Sequence, residues 1–215
     1  MNLLSGLVAT LILLGHSPLL LAANSVRVHL SSEGLSVTSH GLSQAASTGT
    51  TLKPGDRVST GEKGGAILIL QQTGAQTALK LRPRTRIRIL ESKKGEPQTQ
   101  QIAIEEGGLL AATQNSGNIK RPFRISTRTA TLGVRGTGFF LKAHEGQPIF
   151  LCVCQGEVEL KSRGDTLRFK SKHHDHSMKF SKTGGQLASR LDSTPMGDEH
   201  SDADGAELVE ILHHF

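Results

Sequence analysis

From Leu52 onward the chain repeats one pattern: a short run of alternating apolar and polar residues, then a cluster of turn residues, about every ten positions. The runs fall at 57–60, 66–71, 77–81, 85–90, 100–105, 109–113, 123–126, 138–143, 149–160 and 166–169. Before residue 189 no stretch shows the three-and-four spacing of an amphipathic helix. Short strands at even spacing close into a rolled sheet or sandwich, so the expected fold class is all-β. Composition agrees, because 24 glycines mark many turns. With no Trp or Tyr and seven Phe, the core must come mainly from Leu, Ile and Val. At 215 residues the chain has room for one ordinary domain plus terminal extensions.

The two ends read differently. Residues 1–23 carry no charge and hold the apolar run 7–14, then Gly15-His16-Ser17-Pro18 and Leu19-Leu20-Leu21-Ala22-Ala23. This is the layout of a signal peptide cut near Ala22 or Ala23, although its start lacks Lys or Arg and Leu stands three places before either cut. An uncleaved membrane anchor is the alternative. Both imply a periplasmic or exported protein with no cytosolic domain ahead of the apolar segment. Residues 26–29 and 35–38 flank Ser31-Ser32-Glu33-Gly34 like the arms of a hairpin, and 41–51 reads as a loop. At the far end Ala206, Leu208, Val209, Ile211 and Leu212 recur at nearly helical spacing behind Asp202 and Asp204, which suit a helix N-terminus. The expected organisation is therefore 1–23 export segment, 24–190 β domain, and 191–215 acidic tail ending in a short α-helix.

Charge is divided along the chain. Seven of the 19 acids lie in residues 192–215, where there is no Lys or Arg, leaving 25 bases against twelve acids before them. A basic body invites a nucleic-acid reading, but an exported chain poor in aromatic stacking residues argues against it. An envelope protein or an anionic envelope polymer is the better partner class, and attraction between tail and body is the simpler use of the charge. A membrane partner follows only if residues 1–23 stay uncleaved. Arg82, Arg84, Arg86 and Arg88, continued by Lys80, alternate with other residues as one face of a strand would, forming a candidate anion-binding row or a solvated face.

Three segments carry a family likeness. Gly55-Asp56-Arg57-Val58-Ser59-Thr60-Gly61 leads into 66–70, and Leu81-Arg82-Pro83-Arg84-Thr85-Arg86-Ile87 follows. The most specific is Thr131-Leu132-Gly133-Val134-Arg135-Gly136-Thr137-Gly138-Phe139, with Gly156-Glu157-Val158 downstream. Over residues 51–160 the chain resembles the FecR domain. That resemblance implies a β-rich periplasmic module, which in the ferric-citrate regulator relays a receptor signal through a membrane helix to a sigma factor. Only the module is carried over, since no cytosolic region is expected before residue 1–23. Gly133, Val134, Arg135, Gly136, Thr137 and Phe139 fit an architectural corner: glycine permits sharp bends, a guanidinium can bind several carbonyls, and a Thr hydroxyl can close a turn.

The residues most suggestive of chemistry are Cys152 and Cys154, the chain's two cysteines, together with the cluster His173-His174-Asp175-His176 and with His200. On an unbroken strand Phe150, Cys152, Cys154, Val158 and Leu160 share one apolar face, so both thiols are expected to look inward. A bond between them is disfavoured, because side chains at i and i+2 run parallel with Cα atoms about 7 Å apart. Thiols in an oxidising compartment must be buried, metal-bound, bridged elsewhere or reactive. Clustered thiolate and imidazole suit zinc or copper, with haem as a further cofactor option; a buried structural cluster and thiol redox chemistry are the alternatives. The Cys-x-Cys strand, His173-His174-Asp175 and His200-Ser201-Asp202 resemble elements shared by a group of FecR-like proteins. His213 and His214 read as tail decoration. No nucleophile elbow, phosphate loop or other catalytic motif is present, so the chain is read as a non-enzymatic binding or sensing module.

Overall fold

The computed structural model describes residues 24–72, 74–92, 100–115, 123–162, 164–172, 176–183, 186–191 and 200–214. The export segment, His173, His174, Asp175 and the tether before His200 lie outside these residues. Among the described residues the strands are β1 (Asn24–Ser31), β2 (Ser36–Ser39), β3 (Leu42–Ala45), β4 (Thr51–Leu52), β5 (Arg57–Ser59), β6 (Ala66–Gln72), β7 (Ala75–Leu81) and β8 (Arg86–Leu90). They continue with β9 (Gln101–Asn115), β10 (Phe123–Ser126), β11 (Thr131–Ala143), β12 (Ile149–Ser162), β13 (Asp165–Ser171), β14 (His176–Thr183) and β15 (Gln186–Leu191). One helix among the described residues, α1 (Asp202–His213), follows. The all-β expectation with a short C-terminal helix holds.

One continuous sheet joins the strands, and it folds on itself because three long strands change partners part-way along. The first half of β9 pairs with β8 and β10, while its second half pairs with β7 and with the end of β11. Gly107 sits at the change with φ +91, and a Cβ there would lie 2.5 Å from the Thr85 Cα, so only glycine fits. β11 and β12 bend together: their register shifts between Arg135 and Gly138, and Gly156 opposite takes φ +99. The corner expected of the Val-Arg-Gly-Thr signature is therefore a bulged bend, but the left-handed residue is Gly156, from the Gly-Glu-Val segment, rather than Gly138. The side chains of Arg135, Gly136 and Thr137 lie outside the described set. Asp56 of the Gly-Asp motif accepts from the Lys53 amide at 2.8 Å and from the Ser39 hydroxyl, tying a turn that Gly55 makes at φ +95.

The fold encloses a main core of Leu, Ile, Val and Phe, including Leu68, Leu79, Leu109, Phe139, Leu141, Leu151 and Val158. A second apolar cluster lies on the outer face of one half of the sheet, where Leu208 and Leu212 of α1 cover Ile67, Ile69, Ala78, Leu110, Ala112, Phe140 and Cys152. Strands covered on both faces read as unbroken apolar runs rather than alternating ones, which accounts for Ala66–Leu70 and Leu109–Ala112 in the sequence.

Two expectations near the N-terminus fail. β1 and β2 do not form a hairpin; β1 pairs with β6 and β4, and β2 with β3 and β5. Residues 41–51 are not all loop, since β3 lies within them. Its hairpin with β2 turns at His40 and Gly41, both with positive φ (51° and 83°), the type I′ geometry that suits strand twist. All four β3 residues are exposed, so no burial pattern marked it.

Candidate metal centre

β12 delivers two thiols to one place because alternate residues share a face. Phe150, Cys152 and Cys154 point to the outer cluster under α1, whereas Leu151 and Val153 point to the main core. The expected inward orientation of the thiols is thus corrected. The parity argument assumed an unbroken strand, but the bulge at Gly156 switches faces, so Val158 and Leu160 join Leu151 and Val153. Cys152 is 1% exposed and Cys154 is partly buried, and both are thiols rather than a disulfide. The Cys154 Sγ lies 4.0 Å from the Cys152 carbonyl oxygen.

His200 reaches the same spot from the far end of the chain. It is 5% exposed and stacks on Phe140, ring centroids 4.6 Å apart and planes within 10°. Phe140 stands opposite Cys152 across the β11–β12 ladder, so the ring that supports the imidazole is set by strand register. The ligating atoms of Cys152, Cys154 and His200 all lie within 4.8 Å of one another. A tetrahedral zinc with Zn–S bonds near 2.3 Å needs its sulfurs about 3.8 Å apart, so modest side-chain adjustment brings the three donors onto one ion.

What holds His200 in place is the start of α1. Ser201 is the N-cap: its side chain accepts from the Asp204 amide, while Asp204 accepts from the Ser201 amide at 3.1 Å, a reciprocal capping box. The Asp204 carboxylate also accepts from Lys80 Nζ and from Arg82 Nη2, each at 2.7 Å, and Lys80 donates to Glu207 as well. Burial pushes the Asp204 carboxyl up, but the hydrogen bonds and charges of Lys80 and Arg82 outweigh it and hold the group well below the usual carboxylate range. Lys80 mirrors this: burial lowers its pKa, and the two carboxylates more than restore it, leaving it raised. The Cys154 thiol is pushed strongly up, first by its hydrogen bond with Cys152, then by burial, then by the negative charge of Cys152 and of Asp202.

The arginine row does not lie on one strand. Lys80, next to last in β7, anchors the helix together with Arg82; the chain then turns through Pro83 and Arg84 (φ +55). Arg86 and Arg88 are exposed on β8, and Arg88 lies 3.5 Å from Glu105, which also binds Arg57 at 2.8 Å. The tail-to-body attraction anticipated from charge is realised by Lys80 and Arg82. Phe140 was not singled out from the sequence as part of the site, because only strand register sets it opposite Cys152.

A groove of about 650 Å³ opens beside Cys154, between α1 and the second half of β9, Gly138 of β11 and the middle of β12. Among the described residues no helix is long and apolar enough to cross a membrane.

The family model described as FecR protein matches residues 56–159. A crystal structure, at 2.50 Å, of a protein assigned as an anti-sigma factor from Parabacteroides distasonis aligns with a TM-score of 0.50 at 18% identity, covering 63% of this chain and 59% of that one. A second crystal structure with the same assignment from that organism, at 1.65 Å, aligns with a TM-score of 0.43 at 20% identity over 54% and 51% of the two chains. The first likeness is one of fold alone. No curated protein matches significantly.

Proposed function

Residues 56–159 make this chain a FecR-domain protein, and from that premise we propose that it is an exported, non-enzymatic sensing module of the bacterial envelope whose ligand is a transition-metal ion bound by Cys152, Cys154 and His200. The observation that carries the reading is the convergence of these three donors from strand β12 and from the residue before the N-cap of α1. Two thiolates and a neutral imidazole around a divalent ion sum to no net charge, which suits the apolar surroundings of Phe140, Leu208 and Leu212. Zinc or copper fits these donors. Haem fits less well, because Leu208 and Leu212 share a packed cluster with Cys152 where a porphyrin would have to lie.

The thiol redox alternative is disfavoured on two grounds. A reactive cysteine needs a lowered pKa, and Cys154 has a raised one. Parallel side chains at i and i+2 on a strand are also poorly placed to bond. A metal competes with protons for both thiols, so affinity should rise with pH.

Sensing follows from position. His200 immediately precedes the N-cap of α1, so an ion bridging it to β12 ties the docked helix to the sheet. Any partner that discriminates docked from undocked helix then responds to metal, and docking and metal binding strengthen each other by the same factor. An envelope protein is the partner class this supports. Exposed Arg84, Arg86 and Arg88 support an anionic envelope polymer as a second partner.

The test is metal content. The purified chain, loaded with zinc or copper(I) and freed of excess, should retain about one ion per chain and melt at a higher temperature. Cys152→Ser and His200→Ala should each lower retention at least about tenfold. Metal-free wild-type protein with an unchanged melting temperature would sink the proposal.

A further inference from the structure

Cys152, Cys154 and His200 supply three ligands, and three-ligand zinc-type sites keep a position for an outside donor. Cys152 and His200 are buried, so among the described residues the side open to solvent is the one where Cys154 is partly exposed. That side is the groove between α1 and the sheet, and its volume of about 650 Å³ falls within the roughly 300–1,000 Å³ of small-molecule sites. Its walls are of mixed charge. Lys172, just past β13, faces it from one side; Asp202, Glu210 and His213, at helical spacing on one face of α1, face it from the other, with Gln155 beside Cys154.

Resting on the metal reading above, we infer that the groove admits a small zwitterion bearing a soft donor, an amino acid or short peptide with a thiol or imidazole, which completes the coordination of the ion. The donor replaces solvent on the metal, and a thiol ligand loses its proton to bulk water as the metal–sulfur bond forms. Lys172 would receive the carboxylate, and Asp202 and Glu210 the ammonium group. A purely anionic or purely cationic ligand would meet one favourable wall and one unfavourable one. The protein would then respond to the complexed form in which a metal arrives, and not to the ion alone.

Cobalt(II) tests this, because its visible and sulfur charge-transfer bands report coordination directly. The full chain is loaded with cobalt and titrated with L-cysteine, with cysteamine (no carboxylate), with 3-mercaptopropionate (no ammonium) and with 2-mercaptoethanol (neither). Cysteine should add sulfur charge-transfer intensity to protein-bound cobalt and bind about tenfold more tightly than cysteamine or mercaptopropionate, one charge-assisted contact each. Lys172→Ala should abolish the advantage over cysteamine, and Asp202→Asn with Glu210→Gln the advantage over mercaptopropionate, while both variants keep their cobalt. Equal binding of all four thiols, or a cobalt spectrum indifferent to them, overturns the inference and leaves the metal reading intact. Cysteine stripping the cobalt from the protein also overturns it. A chain that takes up no cobalt overturns both.

Discussion

Phe139 and Phe140 are consecutive on β11, equally buried at 0% and 1%, and look in opposite directions. Phe139 packs into the core enclosed by the folded sheet; Phe140 packs against His200 and the cluster beneath α1. The first environment is walled by strands that belong to one continuous hydrogen-bonded sheet among the described residues. The second is closed by twelve residues of helix, a length that is marginal by itself in water. Leu208 and Leu212, each worth roughly 1.5–3 kcal/mol when fully buried, the cap and the Lys80–Arg82–Asp204 ion pairs hold it down. Thiols, imidazole and ion pairs therefore gather where the structure can open locally without unfolding, the kind of place from which binding and switching elements are drawn.

The largest test replaces each phenylalanine in turn. Phe139→Ala should lower global stability by roughly 3–5 kcal/mol, read from urea unfolding, because the cavity lies in the common core. Phe140→Ala removes the same side chain but should show mainly as lost amide protection in α1 and lost metal retention, with a smaller shift in the global midpoint. Equal global losses would mean that the two clusters are one cooperative unit and that α1 is no separable lid.

Next is Asp204→Ala, which removes one half of the capping box and both Asp204 ion pairs at once, leaving Lys80 with Glu207 alone and depriving the partly buried Arg82 of the carboxylate it donates to. About 2 kcal/mol of docking energy should go, seen as roughly thirtyfold faster hydrogen exchange in α1 with exchange in β9 and β11 unchanged. Faster exchange throughout the sheet would break the distinction between the two regions.

pH acts on the same contact more gently. Asp204 has a depressed pKa in the folded protein, so its contribution is complete above the ordinary aspartate range and is lost as pH falls below it. Lys80 has a raised pKa, so its contribution is complete below the ordinary lysine value and is lost only as pH climbs past it. Methyl NMR signals of Leu208 and Leu212 in the metal-free chain should therefore hold constant from about pH 5 to pH 9 and move toward undocked values beyond either edge. A transition centred near neutrality would assign docking to a histidine instead.

How much of this contrast was legible in sequence depends on whether the signal was local. The strands announced themselves by alternation and turn residues, and the helix by Leu208 and Leu212 at helical spacing behind two acids. Cys152, Cys154 and His200 could be named as donors, but not brought together, because 46 residues separate Cys154 from His200 and strand register decides what Phe140 supports. The facing of the thiols was misread because one left-handed glycine, Gly156, reverses the parity of β12. Pro83 should have warned that the arginine row is broken, since a proline there cannot donate to a ladder and interrupts a strand. β1 pairs with β6, a segment 35 to 48 residues away, a choice fixed by the whole sheet rather than by its own turn.

The smallest expected effect compares ion pairs rather than cores. Arg88 is about half exposed and lies 3.5 Å from Glu105, which Arg57 already binds at 2.8 Å, whereas Lys80 and Asp204 are largely withdrawn from water. Removing Arg88 leaves Glu105 with a partner and uncovers no buried charge. Arg88→Ala should therefore change stability by less than about 0.5 kcal/mol and leave metal retention untouched, while Lys80→Ala loosens α1. If the two substitutions cost the same in a denaturation series, burial is not what separates the helix clamp from the surface pairs. If Arg88→Ala is silent in stability yet weakens adsorption to an anionic polymer such as polyphosphate, the exposed arginines of β8 serve contact with a partner, and the division of labour extends to a third region.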